Sequence, residues 1–156
     1  MDYLVVDGDL LEQDVDVIVN AWNRNILPWW LLIPQGVSGA IKKKAGCKPF
    51  SEVGKLGAIP LGEARLTSSG RLPYKGIIHV AGINMLWRSS PYSISESTKS
   101  AIELAVRNKF RSIAIPVIGA GSGGFSEDDA LDVIKKTISS MGQADITIKL
   151  VKYKHN

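Results

Sequence analysis

Three segments of this 156-residue chain combine side chains and backbone in ways that can hold a small anionic ligand. The first is Gly8-Asp9-Leu10. A carboxylate there can accept a hydrogen bond from an exocyclic amine such as that of adenine. The competing reading, the commoner one for such a segment alone, is a turn aspartate that bonds its own backbone. The second segment is Asn20-Ala21-Trp22-Asn23, together with Gln35-Gly36-Val37-Ser38-Gly39 downstream. Asparagine offers donor and acceptor at once, which suits ribose hydroxyls; otherwise Asn20 and Asn23 satisfy the loop backbone. The run at Gly36 opens a short helix with no acid in its first turn, and the unpaired N–H groups of such a start favour phosphate. In the plainer alternative Ser38 is only the helix cap.

The third segment is Gly119-Ala120-Gly121-Ser122-Gly123-Gly124-Phe125. Glycines let successive amides converge on an anion and remove side chains that would block it. No Gly-Lys-Ser/Thr ends the run, so it is not a phosphate loop of the Walker type. It also lies too far from the first strand to be a dinucleotide fingerprint. Glu127, Asp128 and Asp129 follow, already complementing the positive end of the next helix, so loop amides are expected to hold any phosphate there. Phe125 either covers a sugar ring or packs as a core aromatic.

Other reactive side chains carry less. His79 lies in a strand and reads as a satisfied core residue, and His155 is in the tail; the two are too isolated for a metal site. Cys47 is the single cysteine, which excludes an intramolecular disulfide and argues against a cysteine-based metal site. No metal and no cofactor are expected. Trp29 and Trp30, between Pro28 and Pro34, form a lid, a partner-gripping surface, or a loop packed onto the body.

The elements that must position these segments follow from residue patterning. Residues 3–6, 15–19, 63–67, 76–81, 112–118 and 145–153 read as strands. Residues 23–36 read as a long irregular loop, and 39–45 as a short helix closing at Gly46. A helix over 93–109 places Ile94, Thr98, Ala101, Ile102 and Ala105 on one face. Ser126 caps another, with Ala130, Leu131, Ile134 and Ile138 on its inner face and Gly142 at its stop. The alternation implies an α/β fold, three layers deep, with parallel pairing through crossover helices. In such sheets ligands sit beyond the carboxyl ends of the strands, and all three segments above follow strands.

Composition sets the outer limits. A chain of 156 residues, 45% hydrophobic and 22% charged, is expected to form one domain over 1–156. No apolar stretch approaches the roughly 20 residues of a bilayer span, and no basic segment opens the chain, so no membrane association is expected and the cytoplasm is the expected compartment. The net charge of +4 suits an anionic partner, with nucleic acid among the classes it admits. Lys42, Lys43 and Lys44 read as a solvated helix face.

Taken in order, these segments resemble the macrodomain family. The likeness is carried by Gly8-Asp9-Leu10, by the run from Val15 to Asn23, by Gly36-Val37-Ser38-Gly39-Ala40-Ile41, by Ile77-Ile78-His79-Val80, and by Pro116-Val117-Ile118-Gly119-Ala120-Gly121. The resemblance implies a three-layer α/β/α sandwich with a mixed central sheet and a cleft for ADP-ribose or an ADP-ribosylated macromolecule. By that likeness Asp9 meets the adenine amine with the Leu10 amide beside it, and Asn23 contacts the distal ribose. Gly36, Val37 and the loop of Gly119, Ala120, Gly121, Ser122, Gly123, Gly124 and Phe125 wrap the diphosphate and distal ribose. Tyr153 matches the family's adenine-side aromatic loosely and is equally an ordinary strand-end tyrosine.

Two departures bear on activity. Hydrolytic relatives carry an aspartate where this chain has Ser38, and a hydroxyl near its ordinary pKa is a poor general base. Nor does the glycine loop hold an aspartate, as a second hydrolytic branch requires. Any hydrolysis of an ADP-ribosyl linkage would then use water held between Asn23 and a substrate phosphate, with Ser38 orienting it. The second departure is Trp22 and the tryptophan-containing insertion, where relatives have glycines. The alternatives to an ADP-ribosyl hydrolase are a non-catalytic reader, a basic nucleic-acid-binding module, and a docking domain built on the Trp29/Trp30 loop.

Overall fold

The computed structural model describes residues 1–22, 36–81, 89–120 and 124–153. Strands β1 (Tyr3–Gly8), β2 (Val17–Trp22), β3 (Ala64–Thr67), β4 (Gly76–Ala81), β5 (Ser112–Pro116) and β6 (Thr147–Tyr153) form one sheet in the order β1-β6-β5-β2-β4-β3. Every neighbouring pair is parallel except β3 with β4, so the sheet is mixed. The helices are α1 (Gly36–Ala45), α2 (Lys48–Lys55), α3 (Pro91–Arg107) and α4 (Glu127–Ser140), with a 3-10 turn at Leu10–Glu12.

The two-residue period of the strands sorts side chains between two helix layers. Val17, Val19, Ile113, Ile115, Ile148 and Leu150 join the inner faces of α3 and α4, among them Ile94, Ile102, Ile134 and Ile138. Their neighbours Ile18, Ile77, Ala114 and Val151 point the other way, onto Ile41 and Ala45 of α1 and Phe50 of α2. All six residues of β4 are buried, as a strand covered on both faces requires. Each fully buried isoleucine contributes about 1.5–3 kcal/mol, which sets the weight of these two cores against the entropy of ordering the chain.

The helix ends explain the boundaries. Ser90 and Ser93 form a reciprocal capping box, Ser93 N donating to Ser90 Oγ at 3.0 Å and Ser90 N to Ser93 Oγ at 2.9 Å. Lys109, at φ +61°, turns the chain out of α3. Gly46, at φ +87°, closes α1 by donating its N–H to the Lys42 carbonyl at 3.0 Å. β1 lies at the edge of the sheet among the described residues, with Leu4 59% and Val5 38% exposed. No described helix is long and apolar enough to cross a membrane.

Four sequence expectations shift. α1 begins at Gly36 rather than at 39, so Ser38 lies inside the first turn and is not its cap. β1 runs on through Asp7 and Gly8, which pair with Lys152 and Tyr153, so the turn starts at Asp9. β2 extends to Trp22, which places Asn20 within a strand. Helix α2, with Pro49 in its first turn and Phe50 and Val53 buried, was not expected at all.

Candidate functional site

Parallel pairing brings the carboxyl ends of β1, β6, β5 and β2 side by side along one edge. Adjacent strands lie about 4.8 Å apart, so this edge spans roughly 14 Å. The segments that follow the strands are arrayed along it: Asp9 after β1, the end of β6 at Tyr153, residues 117–120 and 124–125 after β5, and, beyond residues 23–35, the start of α1. From β2 the chain leaves through α1 and α2 toward β3 and β4. From β5 it leaves through α4, on the opposite face, toward β6. The connections therefore diverge between two adjacent strands, which opens a crevice at their carboxyl ends.

Asp9 is held firmly. Its Oδ1 accepts from Leu11 N at 2.9 Å, and its carbonyl accepts from Gln13 Nε2 at 2.9 Å. The backbone-bonding turn is thus present, and it fixes the direction of the carboxylate, whose second oxygen retains acceptor capacity. Leu10 anchors the turn in the same core cluster as Ile41 of α1, so the turn and α1 share a face of the sheet. Tyr74 clamps it from below, donating its hydroxyl to the Gln13 carbonyl at 3.0 Å. Burial first, and then the negative charges of Asp9, Asp14 and Glu12, push the Tyr74 pKa up and keep the phenol a donor.

The two helix starts at this edge differ in electrostatics. α1 has no acidic residue in its first turn, which includes Gly36, Val37 and Ser38, and the first N–H groups of a helix lack acceptors within it. α4 is already complemented by Glu127, Asp128 and Asp129, and Ser126 Oγ accepts from Asp129 N at 3.1 Å. An anion is therefore favoured at α1 and disfavoured at α4.

The β5–α4 loop closes at its neck, where Phe125 N donates to the Gly119 carbonyl at 3.1 Å and Ala120 bridges Phe125. Gly119, at φ +93°, sits against Ile94 and Ser89 with no room for a side chain. Gly124, at φ +88°, faces open space. Phe125 and Ala120 are half-buried and packed on the α3/α4 core, so the phenyl ring serves the core. The approach of Ser89 to Gly119 carried no signal in the sequence, because the two lie far apart along the chain.

Asn20, which the sequence offered for ribose or for loop backbone, is fully buried in the α1/α2 layer beside His79. Thr67 Oγ1 donates to the Ser68 carbonyl at 3.0 Å and so accepts from His79 Nε2 at 2.8 Å. Nδ1 is then left to accept from Asn20 Nδ2 at 3.1 Å. Burial lowers the His79 pKa from 6.5 to about 3, so the ring is neutral, with Phe50 edge-on at 5.9 Å. The expectation of a satisfied core histidine holds. Asn23, Gly121, Ser122, Gly123, Trp29, Trp30 and His155 lie outside the described residues, and nothing is described of the side chains of Ser38 and Tyr153.

A separate open groove of about 800 Å³ lies between α3 and the end of α4, lined by Glu96, Lys99, Glu103 and Arg107 among others. Met1 and Gly142 also border it, which places it toward the amino edge of the sheet, away from the crevice.

Comparison with known proteins agrees with this architecture. The Macro domain family model matches residues 19–134. A macro domain-containing protein of Listeria monocytogenes is 34% identical over 163 aligned positions, covering 98% of this chain and 89% of its own. An O-acetyl-ADP-ribose deacetylase of Klebsiella pneumoniae is 33% identical over 146, covering 87% and 78%. Among solved structures, a variant of the Oceanobacillus iheyensis macrodomain with ADPR superposes with a TM-score of 0.84 at 27% identity, covering 97% of this chain and 84% of that one. By family model, sequence and fold together, this chain belongs to the macro domain family.

Proposed function

We propose that residues 1–156 act as one macrodomain that binds ADP-ribose, or an ADP-ribosyl group on a larger molecule, along the carboxyl edge of the sheet. What supports this reading is the acid-free start of α1, which follows β2, together with the glycine-containing segment that follows the adjacent parallel strand β5, where the chain connections diverge. A relative at 33% identity is named as an O-acetyl-ADP-ribose deacetylase, and a structural neighbour holds ADPR, which supports the same ligand here.

In this reading Asp9 accepts from the adenine amine, with the Leu10 amide alongside and Tyr153 at the adenine side. Backbone amides of Gly36 and Val37, and of the loop from Gly119 to Phe125, meet the diphosphate and distal ribose. Asn23 meets the distal ribose. Oriented amides in a sheltered crevice hold a diphosphate without the cost of reorganising water.

Hydrolysis of an ADP-ribosyl linkage is the second part of the proposal, supported by the deacetylase relative. With Ser38 where hydrolytic macrodomains carry an aspartate, the chain lacks that general base. Water would lie between Asn23 and a substrate phosphate, oriented by the Ser38 hydroxyl, so turnover is slow.

Titration calorimetry with ADP-ribose tests the binding reading. Micromolar affinity, about −8 kcal/mol, is expected; absence of heat at millimolar ligand overturns it. Release of ADP-ribose from modified protein or nucleic acid separates a slow hydrolase from a reader. Nucleic-acid binding with no detectable affinity for ADP-ribose would instead favour a basic nucleic-acid module.

A further inference from the structure

The corner where α1 meets α2 gathers cations that have no carboxylate partner among the described residues. Lys43, Lys44 and Lys48 are exposed, and the Arg71 guanidinium lies over Gly46 between them, Nη2 3.3 Å from the place a Cβ would occupy. Arg71 is fixed there by its backbone, whose N–H donates to the Ala45 carbonyl at 2.9 Å. The ion pairs among the described residues involve other cations: Arg65, Lys75, Arg111, Lys136 and Lys152. α1 contains no acidic residue, and Glu52 of α2 is turned to Ser68, whose N and Oγ donate to its carboxylate at 2.8–2.9 Å. Among the described residues, no carboxylate pairs with Lys43, Lys44, Lys48 or Arg71.

The same corner has a defined relation to the crevice. Residues 68–75 join β3 to the start of β4, and Gly76 pairs with Val17 at the start of β2. The contact of Arg71 with Ala45 thus places the end of α1 near the amino edge of the sheet, while its beginning faces the carboxyl edge. Ten residues of helix span about 15 Å. At about 3.4 Å of axis per phosphate along one strand, that distance matches about four phosphates.

We propose that the α1–α2 corner binds the phosphodiester backbone of a nucleic acid, and that the ADP-ribosyl group entering the crevice is carried by such a strand. The second half rests on the ADP-ribose reading above; the first does not. A polypeptide partner is the weaker fit, because protein interfaces are anchored by buried aromatic or aliphatic side chains. The exposed large hydrophobic residues among those described are Leu4, Val5, Leu56, Tyr92 and Val106, none of them at this corner. A phosphate backbone needs only the cations.

The test uses a fluorescent 12-nucleotide single-stranded DNA, with and without a terminal ADP-ribosyl group, titrated with the whole chain by anisotropy. For the unmodified strand, log affinity should fall with log salt with a slope of about −2 to −3, as contact with three or four phosphates requires. The triple variant Lys43→Glu, Lys44→Glu, Lys48→Glu should lose at least ten-fold in affinity for it. The same variant should keep its thermal midpoint and its affinity for free ADP-ribose within two-fold. The terminal ADP-ribosyl group should tighten binding at least ten-fold. An unchanged oligonucleotide affinity in the variant overturns the surface, and so does displacement by polyglutamate as effective as by unlabelled DNA. No gain from the terminal group overturns the joint substrate. Loss of free ADP-ribose binding by the unmodified chain, with DNA binding intact, removes the crevice reading alone.

Discussion

A Cβ on Gly119 would stand 2.5 Å from Cδ1 of Ile94, inside the contact distance of any two carbons. The glycine is thus required twice, once by its φ of +93° and once by the first turns of α3. Gly119→Ala should cost about 3 kcal/mol, combining backbone strain with overpacking. Gly124→Ala, which meets only the backbone penalty, should cost about 1 kcal/mol. Urea denaturation of the two variants checks the difference; equal costs would mean that Ile94 yields to the added methyl.

The neutral His79 makes the fold sensitive to acid before its carboxylates do. Its folded pKa of about 3 lies below the ordinary 6.5, so the unfolded chain binds the extra proton between those values. Stability is therefore full above pH 6.5 and falls toward pH 3, at up to about 1.4 kcal/mol per pH unit. Asp16 adds to the loss at lower pH. The Arg111 N–H, at 2.7 Å from its Oδ2, holds its pKa below 3.8, and that stabilisation disappears as the carboxylate protonates. Denaturation midpoints at pH 7, 6, 5 and 4 should decline steadily. A flat profile from 7 to 5 would show His79 titrating normally.

Thr67→Val removes the acceptor of the His79 Nε2–H and leaves that donor buried. A loss of about 1–3 kcal/mol is expected. Nitrogen chemical shifts of the unsubstituted protein should report the Nε2–H tautomer, and the opposite tautomer would reverse the direction of the Asn20 bond.

Asp9→Ala should weaken ADP-ribose binding by about ten-fold or more, the scale of one hydrogen bond to a charged group. Calorimetry with ADP should show the same loss, since both ligands carry adenine. Selective loss for ADP-ribose alone would move Asp9 away from the base.

Asn23→Ala should lower ADP-ribosyl hydrolysis more than ADP-ribose affinity, and equal losses would argue against a role in orienting water. Ser38→Asp restores a carboxylate at the position that hydrolytic macrodomains use. Turnover should rise at least ten-fold, a part of the about 10²–10⁴ that a fully positioned general base supplies. Unchanged turnover would show that something other than the missing base limits the reaction.

Much of the scaffold was legible where burial speaks through one periodicity. The buried run of β4 and the helical spacing of α3 and α4 were read directly, with boundaries moved by two residues or fewer. Short elements at loop motifs were harder. Gly36, Val37 and Ser38 carry no apolar period, so the first turn of α1 was invisible, and α2 hides eight residues behind a proline and a glycine. Asn20 was misread for a related reason. It sits next to the crevice in sequence, yet strand alternation turns it into the core, and its partner His79 is 59 residues away. The site itself was legible as an order of strand-end segments, while the contact that seats the glycine loop, with Ile94, depends on packing that no local pattern records.

The bare rim of the sheet at β1 raises a question of colloidal behaviour. Two copies pairing rim to rim, antiparallel, with Leu4 opposite Val5, would set Asp2 of each chain against Asp7 of the other. Like charges opposed across strands are unfavourable, and they act here at both ends of the apolar stretch of β1. The pair of aspartates thereby guards an otherwise sticky margin, and replacing both with asparagine should turn a well-behaved solute into one that self-associates.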